Sequence, residues 1–434
     1  MNILKKDQKN IWHPYTQMNK AKPPIVITRG EGAYLFDEDG NKYIDAISSW
    51  WVNTHGHAHP YIIEKVSEQL RILEHVIFAG FTHPKAVELS ERLLKVLPGN
   101  QSKIFFSDNG STAVEVALKM ALQYWYNNGI TKTKIIAFKN GYHGDTFGAM
   151  SVSGRGAFTK PFNSLLFDVI HIDVPVNCSV ETRHCLASTF EQLKTAITGN
   201  DTAAFIFEPL VQGAAGMVMY EPEALEDLIK YCKEYNVLTI ADEVMTGFGR
   251  TGNFFATDCL SVKPDIICMS KGLTGGTMAL GVTSCTLEIY DAFLSAPGLP
   301  EEKTFFHGHS YTANPLACAA ACASMDLFDK PETLGNIKRI EQKHKDFVTK
   351  VKNNHAIKEI RQKGTILAIE LLAGEETSYF NPLRDKLYDF FLKRGIIIRP
   401  LGNVIYVLPP YCISDDDLDF IYAAIADYLK VRSE

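Results

Sequence analysis

Two apolar runs that each end in a charged residue constrain the fold of this 434-residue chain more than any other feature. The runs are VLTIADEV and DIICMSKGLTGG, and both are short and rich in β-branched residues, as buried strands are. The first run reaches Asp242 and the second reaches Lys271. Because open α/β sheets bind their ligands beyond the carboxyl ends of the strands, we expect both side chains at one edge of a sheet.

Strand and helix patterns alternate before this stretch. The run AAFIF is a third buried strand that ends at Glu208, and PEALEDLIKYCKEYN is an amphipathic helix that leads into the strand of Asp242. This alternation predicts an α/β fold with a parallel sheet. It also places three charged groups at strand ends, which are a candidate site; the alternative is that each is a solvated strand end.

The pattern changes after an alanine-rich helix that begins at Pro315. We expect three parts: an N-terminal segment over 1–54 that joins a small domain, a large domain over 55–330, and a small α+β domain over 331–434. The small domain is predicted to contain a charged helix, strands over 364–371, 396–399 and 404–407, a helix near 382–394 and a closing helix that begins with aspartates.

Composition excludes several classes of protein. A net charge of −6 does not favour binding to nucleic acid or to an anionic membrane. No signal peptide or apolar run of membrane-spanning length is visible. The nine cysteines form no CxxC pair, which predicts reduced thiols and a cytoplasmic location. The histidines of HGHAHP lack a carboxylate or cysteine that would complete a metal shell, so we predict no metal site.

The turn SDNGST and the helix after it form a candidate anion site. Thr112 and Glu115 have the spacing of a capping box, and the free N–H groups of Gly110 and Ser111 would face an anion. The alternative is an ordinary helix start. A glycine-rich loop with Tyr142, His143 and Asp145 follows the next strand, and it suits a ligand ring better than a core.

These residues together have the chemistry that pyridoxal phosphate (PLP) requires. Lys271 can form a Schiff base, Asp242 can hold the proton on the pyridine nitrogen, and Gly110 with Ser111 can bind the phosphate. Tyr142 can lie on the cofactor ring. The planar guanidinium groups of Arg250 and Arg399 are available for a substrate carboxylate, and the roles of Tyr15, Trp50 and Trp51 stay open between pocket wall and packing.

Beyond this chemistry, the chain resembles the class III (ω-type) PLP aminotransferases over nearly its whole length. The motifs that carry the resemblance are DEV, TGFGRTG and SKGLTGG. Other segments are similar to the branch of this class that acts in biotin biosynthesis: IWHPYTQM, SSWW, NGSTAVEVALKMALQYW, NGYHGDTFGAMSV, NPLACAAA and IIIRPLGNVIYVLPPY. The resemblance implies the type I fold of PLP-dependent transferases, with a mainly parallel seven-stranded sheet.

The resemblance also implies a role for each matching residue. Lys271, Asp242 and Tyr142 would be catalytic, and cofactor binding would add Gly110, Ser111, Glu208, His309 and Ser310. The substrate would meet Tyr15, Trp50, Trp51, Tyr142, Asp145, Arg250, Lys271, Gly308 and Arg399. Residues 308–310 would reach the active site of the neighbouring subunit, so the family implies a homodimer with shared sites. Familiar members have proline and threonine where this chain has His309 and Ser310.

The expected reaction is a two-step (ping-pong) amino transfer to 8-amino-7-oxononanoate, which yields 7,8-diaminononanoate. S-adenosylmethionine is the expected donor, and lysine is the alternative because His309 adds a polar group beside the site. Rival functions are another ω-aminotransferase acting on ornithine, 4-aminobutyrate or a diamine, and a PLP aminomutase or racemase. A non-enzymatic phosphate-binding protein with a structural lysine is a third rival.

Overall fold

The computed structural model describes residues 3–176, 184–295, 303–374 and 379–433. Its strands are β1 (Ile27–Glu31), β2 (Tyr34–Asp37), β3 (Lys42–Asp45), β4 (Gln101–Ser107), β5 (Lys134–Phe138), β6 (Val169–Ile172), β7 (Thr202–Phe207), β8 (Val211–Gln212), β9 (Val218–Met219), β10 (Leu238–Asp242), β11 (Ile266–Met269), β12 (Gly281–Thr286), β13 (Ile357–Lys363), β14 (Ile366–Leu371), β15 (Ile396–Ile397) and β16 (Val404–Val407). Its helices are α1 (Ile3–Asn10), α2 (Ser48–Trp51), α3 (Pro60–Ile72), α4 (Pro84–Val96), α5 (Gly110–Asn127), α6 (Phe147–Val152), α7 (His184–Ile197), α8 (Pro222–Glu234), α9 (Leu287–Asp291), α10 (Pro315–Phe328), α11 (Pro331–Val351), α12 (Leu383–Leu392) and α13 (Asp415–Ser433).

A seven-stranded sheet forms the centre of the fold, in the order β4-β12-β11-β10-β7-β5-β6. Strand β10 pairs in parallel with β7 and β11, and β5 pairs in parallel with β6 and β7. Only β12 runs against its neighbours β4 and β11 within this sheet. The predicted α/β fold with a mainly parallel seven-stranded sheet is therefore confirmed.

Both faces of the central sheet are covered. Alternate side chains of β7 enter two different hydrophobic clusters, with Phe205 and Phe207 in one and Ala204 and Ile206 in the other. Every residue of β7 is buried. This explains why the sequence of these strands is continuously apolar instead of alternating, as expected for parallel strands between two layers.

Three smaller sheets lie outside the central one, and the smallest is the antiparallel pair β8-β9. The sheet β1-β2-β3-β15 joins strands from opposite ends of the chain, because Ile44 of β3 pairs with Ile396 of β15. The sheet β13-β14-β16 is antiparallel. The contact between β3 and β15 is of the kind predicted between residues 1–54 and the small domain, although the domain boundaries themselves stay a prediction.

Three local predictions need correction. The helix α5 is not capped by Thr112, because Asn109 is the N-cap and Thr112 is its partner in the capping box. Glu115 instead accepts hydrogen bonds from Thr146 Oγ1 (2.5 Å) and Gly148 N (2.7 Å), so its carboxylate fixes the loop before α6. Strand β13 was not predicted, because its sequence IKEIRQK carries charges on a partly exposed edge. The strands predicted over 25–28 and 33–36 are displaced along the chain, to β1 and β2.

Two predicted absences can be compared with the described part of the chain. None of its helices is both long and apolar enough to span a membrane. Its histidines, cysteines and carboxylates form no cluster of three or more that could hold a metal ion. Two of the three histidines of HGHAHP hydrogen bond to protein groups: His55 to Ser324 Oγ (3.0 Å) and His57 to Asp45 (2.8 Å).

Candidate active site

A cavity of about 460 Å³ opens at the carboxyl ends of the central strands. Most of the residues predicted to bind the cofactor lie on its wall: Gly110, Ser111, Tyr142, Glu208, Asp242 and Lys271. Trp51, which was predicted to bind the substrate, also lies there. Glu208 follows β7, Asp242 ends β10 and Lys271 follows β11, as the strand-end argument requires. The fold therefore brings residues as distant in sequence as Trp51 and Lys271 together at one site.

Lys271 begins a short 3₁₀ turn, Lys271–Thr274, immediately beyond β11. Its backbone has a φ of 44°, which is unfavourable for a residue with a Cβ. Strained backbone conformations of this kind are concentrated at functional sites in proteins. The amine lies 4.8 Å from the centre of the Trp51 ring. Burial lowers the pKa of the Lys271 amine, and the charges of Asp242 and Glu208 oppose this only in part. A larger share of neutral amine makes the lysine a better nucleophile and base.

Asp242 is held by a histidine that the sequence reasoning did not assign to the site. His143 Nδ1 donates to Asp242 Oδ2 at 2.7 Å, and both side chains are buried. Burial lowers the pKa of His143, but the hydrogen bond and charge of Asp242 outweigh this and raise the pKa above its ordinary value. The signal for His143 was its place between Tyr142 and Asp145 in a loop already predicted to face a ligand.

Glu208 is the third charged group at the strand ends. Its carboxylate accepts hydrogen bonds from Tyr142 N and Gly213 N, both at 2.9 Å. Burial raises the pKa of Glu208 to about 7, and the charge of Asp242 acts in the same direction. These contacts tie the loop of Tyr142 to the end of β7. We name the set Glu208, Asp242, Lys271 and His143 the floor of the cavity.

The start of α5 forms a cradle with free N–H groups. Gly110 packs so closely that a Cβ there would come within 2.7 Å of Val244 Cγ1. Gly144, with a φ of 133°, faces Ser111, and a Cβ there would come within 2.1 Å of Ser111 Oγ. These two glycines leave space beside a helix N-terminus, where backbone N–H groups and the helix dipole favour a phosphate.

Aromatic side chains from distant parts of the sequence, together with Arg399, form a cluster beside the cavity. We call it the rim and define it as Tyr15, Trp50, Phe158, Tyr379 and Arg399; none of the five lines the cavity itself, and Tyr15 meets the cavity wall at Tyr142. The Tyr15 ring meets the edge of Trp50 at 5.4 Å and of Phe158 at 5.9 Å between ring centres. Its hydroxyl donates to the Asp145 carboxylate and lies 3.2 Å from the Tyr142 hydroxyl. Burial, together with the hydrogen bond to Asp145, raises the pKa of Tyr15 to about 12.

Arg399 contributes a positive charge to this aromatic rim. Its guanidinium lies 4.5 Å from the centre of the Trp50 ring, and Nη2 donates to the Tyr379 hydroxyl at 3.3 Å. Among the described residues, no carboxylate forms an ion pair with Arg399, and its buried Nε has no hydrogen-bond partner. A buried donor without a partner is unfavourable, so an anion from outside the chain would stabilise the Arg399 guanidinium. The role of Arg399 as a ligand of the substrate carboxylate stays a prediction.

Arg250 occupies a different environment from the one predicted for a substrate ligand. It is only 1% exposed, and it donates to the carbonyl oxygens of Trp51 (3.2 Å), Asn53 (3.2 Å) and Pro409 (3.0 Å). It does not line the cavity. Its guanidinium therefore supports the backbone that carries Trp51.

Residues 308–310 do not line the cavity of their own chain. They belong to a segment with little regular structure that also exposes Phe306 (76%) and Tyr311 (66%). Large apolar side chains with such exposure in one segment are typical of a surface that another molecule covers. The predicted contact of Gly308, His309 and Ser310 with a second subunit stays a prediction.

Similarity to known proteins extends over nearly the whole chain. Residues 15–429 match the family described as aminotransferase class-III. The chain is 47% identical to adenosylmethionine-8-amino-7-oxononanoate aminotransferase of Synechococcus elongatus, over 97% of this chain and 98% of that protein. The Geobacter sulfurreducens protein of the same name is 40% identical, over 96% and 94%.

Solved structures agree with these relatives. The crystal structure of adenosylmethionine-8-amino-7-oxononanoate aminotransferase from Methanocaldococcus jannaschii superposes with a TM-score of 0.91 at 38% identity, over 98% of each chain. An amine transaminase from an uncultivated Pseudomonas species, solved with PLP bound, superposes with a TM-score of 0.89 at 31% identity, over 98% of this chain and 99% of that one.

Proposed function

The chain belongs to the class III aminotransferases, and on that premise we propose that it transfers an amino group to 8-amino-7-oxononanoate. The product is 7,8-diaminononanoate, an intermediate of biotin biosynthesis, and the proposed donor is S-adenosylmethionine. The cofactor is pyridoxal 5′-phosphate. The observation that carries the proposal is a lysine–aspartate floor inside the cavity together with an arginine-ended aromatic rim that adjoins the cavity wall at Tyr142.

The residues of the cavity suit this cofactor. The cradle beside Gly110 and Ser111 has the space and the N–H donors that its phosphate needs, and Tyr142 lies on the wall where a ring would pack. Bound PLP supplies an electron sink for the negative charge left when the carbon that carries the amino group loses a proton. Asp242 would hold a proton at the pyridine nitrogen, and His143 Nδ1 orients that carboxylate through its 2.7 Å bond.

Lys271 has two roles in the proposal. Its amine would hold the cofactor covalently between turnovers, and once displaced by the substrate amine it would act as the base that removes the proton from the amine-bearing carbon of the substrate. The lowered pKa of the amine keeps part of it neutral at physiological pH, as a base requires. Glu208 would bind the cofactor from the side of Tyr142, whose N–H it accepts at 2.9 Å.

The rim would bind the ketone substrate. Trp50, Trp51 and Tyr15 would cover its apolar chain, and Arg399 would bind the carboxylate at the end of that chain with its planar pair of donors. Asp145 would hold the Tyr15 hydroxyl in place. Arg250, whose donors are all directed at backbone carbonyls or buried, would act on the substrate only through Trp51.

The assembly and location follow from the same premise. Gly308, His309 and Ser310 would reach the cofactor or substrate of a second subunit in a homodimer, and the exposed Phe306 and Tyr311 support a covered surface there. The enzyme would act in the cytoplasm. The chain would divide into a segment over 1–54, a large domain over 55–330 and a small domain over 331–434.

An assay of the two half-reactions tests the function. Purified protein is mixed separately with S-adenosylmethionine, lysine, ornithine and 4-aminobutyrate, and the conversion of the cofactor to its amine form is followed by absorption. We expect conversion with S-adenosylmethionine and its reversal by 8-amino-7-oxononanoate. Conversion by lysine alone would replace the donor, and conversion by ornithine or 4-aminobutyrate without reversal by this ketone would overturn the proposal.

A variant at Lys271 tests the assignment of the lysine. We expect Lys271→Ala to lose the absorption of the lysine-bound cofactor and at least about 10³-fold in turnover. Lys139→Ala is the matched control, because Lys139 pairs with Asp173 at the surface (2.7 Å) away from the cavity. Wild-type absorption and turnover in Lys271→Ala would exclude the assigned role.

A further inference from the structure

The segment that carries the two tryptophans has an unusual backbone. Four consecutive residues that are not glycine have positive φ angles: Ser48 (51°), Ser49 (56°), Trp50 (117°) and Trp51 (71°). Each residue with a Cβ is disfavoured in this region, and four in succession persist only where surrounding contacts enforce them. The turn α2 is therefore a strained element at the wall of the active site.

In this strained backbone, the side chains of Trp50 and Trp51 point in different directions. Trp51 lies in the cavity, where its ring faces the Lys271 amine at 4.8 Å and its Nε1 donates to the Tyr406 hydroxyl at 3.1 Å. Trp50 lies in the rim, where its ring meets Tyr15 at 5.4 Å and the Arg399 guanidinium at 4.5 Å. A relaxed turn would move at least one of these rings away from its partners.

A fully buried carboxylate holds the turn. Asp45, at the end of β3, is 0% exposed and accepts from Ser49 N (2.9 Å), Ser49 Oγ (2.8 Å) and Ile47 N (3.3 Å). Its remaining partner is His57 Nε2 at 2.8 Å. Burial raises the pKa of Asp45, but the hydrogen bonds from His57 and Ser49 outweigh it and keep the pKa below its ordinary value. The acid thus stays ionised and can accept all four bonds.

Two further contacts tie the ends of the turn to distant parts of the chain. Ser48 Oγ donates to the Leu408 carbonyl at 2.8 Å, and Arg250 Nη2 donates to the Trp51 carbonyl at 3.2 Å. The middle of the turn, at Ser49, is held by Asp45 on both its N–H and its hydroxyl. Asp45 is therefore the contact on which the left-handed backbone at Ser49 depends.

We propose that Asp45, oriented by His57, is a positioning residue that keeps α2 left-handed and thereby determines the affinity for the long apolar ketone. The proposal rests on the proposed function, because it assigns Trp50 and Trp51 to the apolar chain of that substrate. It also gives His57, the second histidine of HGHAHP, a role that is not metal binding.

The test compares Asp45→Asn with the wild-type holoenzyme. We expect the KM for 8-amino-7-oxononanoate to rise about tenfold with kcat within about twofold, because ground-state contacts to the chain are lost and the chemical groups are not. We also expect a changed near-ultraviolet circular dichroism from the tryptophans. An unchanged KM and an unchanged dichroism would overturn the proposal.

Asp37→Asn is the matched control. Asp37 is also a buried acid at the end of a strand in the same segment, and it accepts from Asp39 N (3.1 Å) and Asn41 N (2.8 Å) without contacting a tryptophan. We expect wild-type KM and dichroism in this variant. An equal rise of the KM in Asp37→Asn would assign the effect to general loss of stability and overturn the proposal.

A rescue experiment separates positioning from folding. Glycine adopts a φ of 56° without penalty, so Asp45→Asn combined with Ser49→Gly should return the KM to within about threefold of wild type. Where Asp45→Asn does not fold, His57→Ala serves instead, and we expect a KM rise of about threefold from it. A double variant as impaired as Asp45→Asn, or a wild-type KM in His57→Ala, would contradict the proposal.

The same measurements distinguish failure of the function from failure of this inference. If the wild-type enzyme does not aminate the ketone, the proposed function fails, and the dichroism of Asp45→Asn still reports whether Asp45 holds the tryptophans. An altered dichroism that the Ser49→Gly substitution restores would then support the positioning role, and an unaltered one would overturn it.

Discussion

The floor of the cavity and its rim are held by different kinds of contact. Glu208, Asp242 and Lys271 follow three neighbouring strands, β7, β10 and β11, whose backbone ladders are buried on both faces. Tyr15 and Arg399, by contrast, come from near the two ends of the chain and meet across Trp50 through ring edges and a cation over a ring. The floor is fixed by the sheet, whereas the rim depends on a few side-chain contacts.

This difference separates the chemistry from the choice of substrate. A change in the floor alters buried charges that interact strongly in a region with little water, so it should affect the chemical step. A change in the rim alters partly exposed aromatic and polar contacts, so it should affect the affinity for one substrate. The following variants test whether the two regions can be separated in this way.

The largest effect is expected at Asp242. Asp242→Asn removes the negative charge that would face the cofactor ring, and it changes the acceptor of the His143 bond. We expect kcat to fall by about 10²- to 10³-fold, the range in which one preorganised electrostatic partner contributes. Asp265→Asn, at the opposite end of β11, should keep kcat within about threefold. A fall in kcat of less than about threefold in Asp242→Asn would show that Asp242 does not contribute to the chemical step.

Glu243 should give the next largest effect, on stability. Burial raises the pKa of Glu243 from its ordinary 4.5 to about 7. Between these two pH values the folded state keeps a proton that the unfolded state has lost. The free energy of unfolding should therefore fall by about 3 kcal/mol from this group as the pH rises from 4.5 to 7, and then level.

Glu243→Gln should lack this contribution. Denaturant unfolding of both proteins across this pH range is the measurement, with the difference between the two curves as the result. Parallel curves would show that the pKa of Glu243 is not raised. The hydrogen bonds that its carboxylate accepts from Thr246 (2.5 Å) and Thr257 (2.8 Å) would then outweigh the effect of burial on this pKa.

A smaller effect is expected at Arg399. Arg399→Met should raise the KM for 8-amino-7-oxononanoate by about 30-fold with kcat within about threefold, since a charged hydrogen bond to the carboxylate is lost. Arg394→Met is the matched control, because its guanidinium also lies over a ring, that of Phe390 at 3.6 Å, but away from the cavity. A fall in kcat with an unchanged KM would place Arg399 in the chemical step and break the separation.

The smallest effect is expected at Tyr15. Tyr15→Phe removes only the hydroxyl that donates to the Asp145 carboxylate and lies beside the Tyr142 hydroxyl. Because Tyr15 is 43% exposed and water competes for this bond, we take its contribution to be about 1 kcal/mol. We expect a KM about fivefold higher, measured at constant cofactor saturation. Tyr126→Phe, whose side chain is 81% exposed, should leave the KM unchanged. A larger effect than that of Arg399→Met would reverse the proposed order of the rim contacts.

Local sequence patterns were enough to predict the charged residues of the floor, but not the residues that hold them in place. The strand runs that end near Glu208, Asp242 and Lys271 were readable because parallel strands are continuously apolar. The hydrogen bond between His143 and Asp242 could not be predicted in this way, because it joins a loop to the end of β10, 99 positions further along the chain. The capping residue of α5 was misplaced by three positions, because Asn109 and Thr112 can both cap a helix and only the backbone conformation distinguishes them.

Arg250 shows the same limit for the rim. Arginine is the residue type that suits a carboxylate, so Arg250 and Arg399 were both assigned to the substrate. The fold directs Arg250 at three backbone carbonyls, whereas Arg399 donates to the Tyr379 hydroxyl and lies over the Trp50 ring. Residue type predicted the donor chemistry of both side chains but not the acceptors that packing would bring to them.

The sequence by itself determined the α/β class, the strand ends that carry the acid and the lysine, and the resemblance that names the cofactor. Those features are local, because hydrophobic periodicity and short motifs are properties of neighbouring residues. The tertiary structure alone decided which arginine is directed at backbone carbonyls and how His143 supports Asp242. It also decided that Asp45 hydrogen bonds to the left-handed turn that contains the two tryptophans. Those features depend on contacts between distant segments, which form only when the sheet and the two ends of the chain pack together.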